Sequence, residues 1–276
     1  MMITLTTDFG LDDPYVGVMK GVMLSIAPEA QLVDLSHAVP AQDVRTAAYV
    51  VYAAQPYFPK GTVHLAVIDP GVGTERLPIA IQTAQALFVG PDNGLFTYVM
   101  EDAAHWKATT LSNPEYHLAH VSKVFHGRDI FAPAAAHLSI GLDLDRLGDP
   151  VENPVRLPLP YLVPGRQELK GEVLHIDRFG NVVTSVGRLR WNGEDLILDP
   201  AFRADPAPEI RFASHTATVE IAGRTVHGIQ PTYGTVEIGE MMALVGSTGF
   251  LELAVRQGSA ARRLDVRPGA AVIVRT

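Results

Sequence analysis

Between Val63 and Arg76 the chain reads VHLAVIDPGVGTER, an apolar, β-branched run that ends on one carboxylate, Asp69, and turns through Pro70, Gly71, Val72 and Gly73 before reaching Arg76. A run of this kind is what a buried central strand looks like. Asp69 therefore falls at the carboxyl end of a strand, where open α/β sheets place their ligands. A charge left unpaired there is costly, so a partner is expected, and Arg76 sits on the same loop. The same residues also make ordinary turn chemistry, because Asp before Pro-Gly favours a turn for local reasons. Asp8, Asp92, Asp129 and His126 lie on other loops. If those loops converge on Asp69, the set could ligate a hard metal; taken alone, His126 reads as an ordinary polar loop residue.

Several other chemistries are excluded. Gly71-Val72-Gly73-Thr74-Glu75-Arg76 starts like a dinucleotide fingerprint but carries Arg where the third glycine belongs, and no helix opens on it. There is no P-loop and no G-x-S-x-G elbow. Without cysteine there is no disulfide framework, thiolate nucleophile or zinc–thiolate site, as suits a reducing compartment. A formal net charge of -8 with no Lys/Arg cluster argues against nucleic acid and is better matched to a small, cationic ligand. The opening MMITLTTDFG lacks a basic n-region, and no apolar run is long enough to span a bilayer, so a soluble cytoplasmic protein with no membrane partner is expected.

The elements that must position these residues fall into two textures. Ile3–Thr7 reads as a strand, Tyr15–Ile26 as a helix, Gln31–Leu35 as a strand, Asp43–Ala54 as a helix with an acidic residue in its first turn, and Ile79–Val89 as further strand. The cluster Gly90-Pro91-Asp92-Asn93-Gly94 precedes a helix from Leu95, and Phe125-His126-Gly127-Arg128-Asp129 opens a helical run containing Ala134–Leu138. This alternation predicts an α/β domain with a mainly parallel sheet over residues 1–152. Residues 153–170, with Pro154, Pro158, Pro160 and Pro164, read as a semi-rigid linker. Beyond it, alternating segments at Glu172–Ile176, Val182–Val186, Thr216–Ile221, Thr225–Ile229, Met242–Val245, Phe250–Val255 and Ala271–Val274 predict an all-β antiparallel domain, a sandwich or barrel, over 171–276.

Taken together, Thr6-Thr7-Asp8-Phe9-Gly10, Val18-Met19-Lys20-Gly21, Ile68-Asp69-Pro70-Gly71-Val72-Gly73, the Gly90–Gly94 and Phe125–Asp129 clusters and Ile176-Asp177-Arg178-Phe179-Gly180-Asn181 occur in the order found in one family. The chain resembles the S-adenosyl-L-methionine (SAM) hydroxide adenosyltransferases, or adenosyl-forming SAM hydrolases, relatives of the SAM-dependent fluorinase and chlorinase. The resemblance runs from the first strand to Gly249. It implies a homotrimer with sites between neighbouring subunits and conversion of SAM and water to adenosine and L-methionine, with SAM as substrate and no further cofactor.

By that resemblance the water-activating residues are Asp69, Arg76 and His126. Asp8 matches the ribose ligand, Asp13 and Asp177 residues near the methionine amine, Ser247 and Thr248 residues near its carboxylate, and Phe179 and Asn181 residues at the adenine. The halogenases carry Tyr where this chain has Asp69, and a carboxylate beside a halide repels it. The fluorinase has Ser where this chain has Gly127, although the chlorinase also has Gly there. Two departures are Gln42, where the fluorinase stacks a Trp, and Thr248, where it uses an Arg. Two further readings compete: a SAM or nucleoside sensor that binds without turnover, and a metal-dependent hydrolase of a phosphorylated substrate using the loop aspartates.

Overall fold

The run Val63–Val67 is buried at every residue and forms the strand around which the first unit is built. The computed structural model describes residues 1–165, 167–203 and 209–276, so Arg166 of the expected linker lies outside the described residues. The chain divides into two compact units, Met1–Pro158 and Leu159–Thr276.

In the first unit the order is β1 (Met2–Thr7), α1 (Tyr15–Ile26), β2 (Gln31–Ser36), α2 (Val44–Ala54), β3 (Val63–Val67), β4 (Pro78–Thr83), β5 (Leu87–Pro91), α3 (Thr97–Asp102), β6 (Trp106–Thr110) and α4 (Ala132–Ser139). One sheet holds the strands in the order β2-β1-β3-β5-β4-β6. The pairs β2/β1, β1/β3 and β3/β5 are parallel; β5/β4 and β4/β6 are antiparallel. The sheet is thus mixed, parallel over β2-β1-β3-β5 and antiparallel over β5-β4-β6. The stretch expected as one strand over Ile79–Val89 is a hairpin. Its turn contains neither Gly nor Pro and is closed instead by the Thr83 hydroxyl, which accepts from the backbone N–H of Gln85 and Ala86 at 3.2 and 3.1 Å.

Helix α1 buries Val16, Met19 and Met23, one stripe at helical spacing, and places Met19 and Met23 in the core that also holds Ile3, Leu5, Leu65 and Phe131. Asp43 caps α2 rather than lying within it, its carboxylate accepting from Thr46 N at 2.9 Å. The segment after Phe125 begins as a π-helix, Gly127–Phe131, before α4. The tail of the unit is tied back, with Val155 N donating to Asp92 and Leu157 N to the Thr97 hydroxyl, at 2.8 and 2.9 Å.

The second unit contains β7 (Val163–Pro164), β8 (Glu168–Ile176), β9 (Val182–Thr184), β10 (Leu189–Asn192), β11 (Asp195–Leu198), β12 (Ile210–Ala213), β13 (Thr218–Ile221), β14 (Arg224–His227), β15 (Ile229–Gln230), β16 (Met241–Val245), β17 (Leu251–Val255), α5 (Ala260–Leu264) and β18 (Ala271–Arg275). A nine-stranded sheet runs β14-β13-β18-β8-β9-β17-β16-β15, with β7 on β8, and β10-β11-β12 form a small sheet of their own. The pairs are antiparallel except β15/β16. The hairpin β10/β11, absent from the sequence expectations, turns on Gly193, whose φ of +65° follows Asn192 in the Asn-Gly pattern that favours such turns.

Candidate active site

Asp69 stands just beyond the end of β3. Its loop is shaped by Thr74, whose hydroxyl donates to Gly71 O at 2.7 Å, and by Gly73, held at φ +78° with Lys123 O only 2.5 Å from where a Cβ would be. The turn returns Arg76 to Asp69. Arg76 Nε donates to Asp69 Oδ1 at 2.8 Å and Nη2 to Oδ2, a bidentate pair with side chains only 9% and 6% exposed. Arg76 Nη2 also lies 3.0 Å from His126 Nδ1, and the guanidinium stands over the Phe131 ring, 5.1 Å from its centroid. Arg76 Nη1 is buried and finds no hydrogen-bond partner among the described residues.

This geometry sets the state of His126. Burial, and then the charge of Arg76, hold its imidazole below the usual range against the opposing pull of Asp69 and Asp129. A neutral ring that accepts from Arg76 at Nδ1 carries its proton on Nε2, so His126 is a donor on its other edge. Arg76 occupies one lone-pair site on each oxygen of Asp69 and leaves the others to accept a proton donor such as water.

Asp69 and His126 line a pocket of about 480 Å³ with Phe9, Tyr15, Val67 and Phe125. The three rings meet edge to face, Tyr15 to Phe125 at 5.3 Å and Phe9 to Tyr15 at 5.9 Å. The pocket therefore combines an apolar wall with one ionic cluster, a setting that strengthens electrostatics by limiting water. Gly127 belongs to the same wall. A Cβ there would lie 3.1 Å from the Phe125 ring and 3.2 Å from Met19 Sδ, so a larger residue must push one of them aside. Asn93 supports the strand end, its side-chain amide donating to Ile68 O at 2.8 Å.

Asp8 follows β1 and accepts from Gln42 N at 2.8 Å. Its loop is pinned by buried His37, whose carbonyl accepts from Gly10 N and whose Nδ1 is 2.8 Å from the Thr7 hydroxyl. His37 Nε2 is 3.0 Å from Asp34 Oδ1, though not aligned as a hydrogen bond, and Asp34 in turn pairs with Lys20 at 2.6 Å. The sequence reading missed this chain, because nothing in local spacing links β1, α1 and β2. Asp13 is exposed before α1.

The remaining loop acids have other tasks. Asp92 accepts from Val155 N, and burial raises its carboxyl above the usual range. Asp129 is fully buried and accepts from Ser122 N at 2.7 Å and Arg128 Nε at 2.5 Å; although burial opposes it, these bonds hold its carboxyl below the usual range. Both carboxylates are thus engaged in tying loops together. Among the described residues, no group of three or more His, Asp or Glu is arranged to hold a metal ion.

In the second unit, Asp177 staples the β8–β9 turn. Its Oδ1 accepts from Phe179 N and Asn181 N at 2.9 and 2.8 Å, and its Oδ2 from Asn181 Nδ2 at 2.9 Å. Asn181 is buried and its amide reaches the Tyr233 hydroxyl at 3.5 Å, whereas Phe179 is 76% exposed. Phe179, Asn181 and Tyr233 line one pocket of about 500 Å³. Ser247 and Thr248 occupy the β16–β17 turn, closed by Gly249 N donating to Gly246 O at 2.9 Å. Tyr233 and Glu252 were not singled out from sequence, yet Glu252 is a charged residue inside the apolar run Phe250–Val255, a signal that could have found it.

The SAM hydroxide adenosyltransferase N-terminal domain model matches residues 3–148, and the C-terminal domain model of the same family matches 171–273. An (R)-S-adenosyl-L-methionine hydrolase from Thermus thermophilus is 43% identical over 272 residues, covering 95% of each chain. A fluorinase from Nocardia brasiliensis is 27% identical, covering 99% of this chain and 96% of its own. The solved structure of an uncharacterized conserved protein from Thermotoga maritima superposes with a TM-score of 0.85 at 34% identity, over 100% of both chains. With both domain models matched and a hydrolase of this kind similar along nearly its whole length, the chain belongs to the SAM hydroxide adenosyltransferase family.

Proposed function

We propose that this chain is a cytoplasmic SAM hydrolase that directs water to C5′ of the ribose and releases adenosine, L-methionine and a proton. The observation that carries the reading is the Asp69–Arg76–His126 cluster at the apolar pocket, with the Asp69 and Arg76 side chains only 6% and 9% exposed. Methionine leaves as a neutral thioether from a sulfonium, so the displacement asks for little acid catalysis and chiefly for an aimed, partly desolvated nucleophile. Asp69 accepts a water proton on its remaining lone pairs; neutral His126 donates from Nε2 to orient the water; Arg76 fixes both and favours developing hydroxide. No cofactor enters this scheme.

The substrate contacts follow the same reading. Asp8 takes the ribose hydroxyls, Asn181 and the exposed Phe179 ring the adenine, Asp13 and Asp177 the amine side, and Ser247 and Thr248 the carboxylate. A homotrimer with shared sites completes the proposal: mixed oligomers of the inactive variants Asp69→Ala and Asn181→Ala should regain part of the activity, and no recovery in verified mixed oligomers would refute sharing. Halogenation is disfavoured by the Asp69 charge, which repels a halide.

The decisive experiment is turnover of SAM in H₂¹⁸O, with both sulfonium epimers assayed separately. The label should enter the 5′ hydroxyl of adenosine, and chloride should yield no chloroadenosine. S-adenosylhomocysteine or a methylated product would overturn the reading, and binding without turnover would favour a sensor.

A further inference from the structure

Arg76 is held along its edges and on one face. Nε and Nη2 donate to Asp69, and Nη2 lies 3.0 Å from His126 Nδ1. The N–H bonds of a guanidinium lie in its plane, so these partners fix where the group sits but leave it free to tilt about the line that joins them. The face is covered by Phe131, whose ring centroid is 5.1 Å from Arg76 Cζ. Nη1 is buried without a hydrogen-bond partner among the described residues, so part of the charge faces apolar surroundings. An aromatic face attracts such a charge, whereas an aliphatic one does not. Phe131 is itself fully buried in the core of the first unit and is not among the residues that line the pocket with Asp69 and His126.

One segment supplies both His126 and Phe131. Gly127–Phe131 is π-helical and is closed by Ala132 N donating to Gly127 O. An α-helix turns by about 100° per residue, so two residues five apart would point about 140° away from each other. A π turn, whose hydrogen bonds join residues five apart, brings such a pair to one side. His126 and Phe131 are five apart, and both meet the same guanidinium. Turns of this kind are rare and recur at functional sites.

Building on the SAM hydrolase reading, we propose that Phe131 is a positioning residue for water activation: its ring fixes the tilt of Arg76, and the π turn sets that ring and the His126 imidazole on one guanidinium. Asp69 and His126 are thereby held in a single arrangement toward the water by a side chain that never touches it.

The test removes the ring and keeps apolar volume, with Phe131→Leu and Phe131→Met measured beside Phe88→Leu. Phe88 is an equally buried ring of the same unit, stacked on His64. Single-turnover hydrolysis of SAM should slow by roughly five- to thirtyfold in both Phe131 variants, the worth of a desolvated cation–π contact, while the SAM concentration giving half-maximal rate stays nearly unchanged. Phe88→Leu should lose comparable stability and keep the parental rate. The second readout is the His126 titration followed by NMR without substrate. Burial and then Arg76 lower the His126 pKa, His117 adds to this, and Asp69 and Asp129 oppose it. A loosened guanidinium should therefore raise that pKa in the Phe131 variants and not in Phe88→Leu. A parental rate, or a loss that Phe88→Leu matches, would overturn the assignment, as would an unchanged His126 titration. A parent that does not turn over SAM would instead overturn the activity reading, and the titration would still decide whether Phe131 holds Arg76.

Discussion

Replacing Arg76 by Lys keeps the positive charge and removes the fork. The guanidinium makes three bonds at once, Nε to Asp69 Oδ1, Nη2 to Asp69 Oδ2 and Nη2 to His126 Nδ1, and rests on Phe131. A single ammonium on this short loop keeps one of the carboxylate bonds, so one carboxylate bond and the histidine bond are lost. At roughly 1.5 to 3 kcal/mol for each bond to a charged group, and with part regained by the ammonium's own charge, the cluster loses about 2 to 4 kcal/mol. If about half of that loss falls on the transition state, kcat declines by roughly five- to thirtyfold, since 1.4 kcal/mol corresponds to a factor of ten. KM for SAM should change less, because the lost bonds join protein groups to each other. The measurement is single-turnover hydrolysis alongside denaturant unfolding, with Arg76→Ala as the harsher control. That control leaves Asp69 buried without its cation, which should cost about 3 to 5 kcal/mol of stability. Near-parental single-turnover rates for Arg76→Lys would show that charge alone suffices and that bidentate geometry does not organise the nucleophile.

The other predictions concern neighbouring groups. Asp69→Asn keeps the shape but not the charge and should lower turnover by on the order of a hundredfold while SAM binding survives; Asp8→Ala should instead weaken SAM binding, by about 1.5 to 3 kcal/mol, as calorimetry beside single-turnover rates will distinguish. His64 lies under Phe88 with its Nδ1 2.8 Å from the Thr4 hydroxyl, and burial lowers its pKa to about 4. Its folded pKa is below the unfolded value, so the folded state binds fewer protons. The stability it lends is therefore present above pH 6.5 and lost as pH falls toward 4, by up to about 3 kcal/mol. Denaturant midpoints measured from pH 7 to 4 should show this loss, and His64→Gln should flatten it; an equally steep decline in the variant would place the effect elsewhere.

Much of the local geometry around the candidate residues of each unit was legible in the chain because it is set by near neighbours. Asp69 and Arg76 share one loop, the strand before them is apolar throughout, and Asp177, Phe179 and Asn181 share one turn whose carboxylate accepts from its own neighbours. Such spacing is set by short-range sterics and hydrogen bonding, which sequence carries directly. Boundaries went astray where a turn used an unusual device, as at Thr83, or where a familiar one was passed over, as at Asn192-Gly193.

Tertiary structure decided what depends on distance across elements. That His126 meets Arg76 through Nδ1, and so stays neutral with its proton on the far nitrogen, follows from a π-helical segment docking beside the β3 loop. That Asp92 and Asp129 tie loops to their own unit, while Glu252 lies buried with no hydrogen bond from the described residues, follows from which backbone N–H groups each carboxylate can reach. In sequence these carboxylates are the same kind of residue. Residue type and local spacing limited the chemistry this chain can perform, but only folding assigned each charge a partner or left it without one, because desolvation and Coulomb energy depend on separations of a few ångströms between residues that lie far apart along the chain.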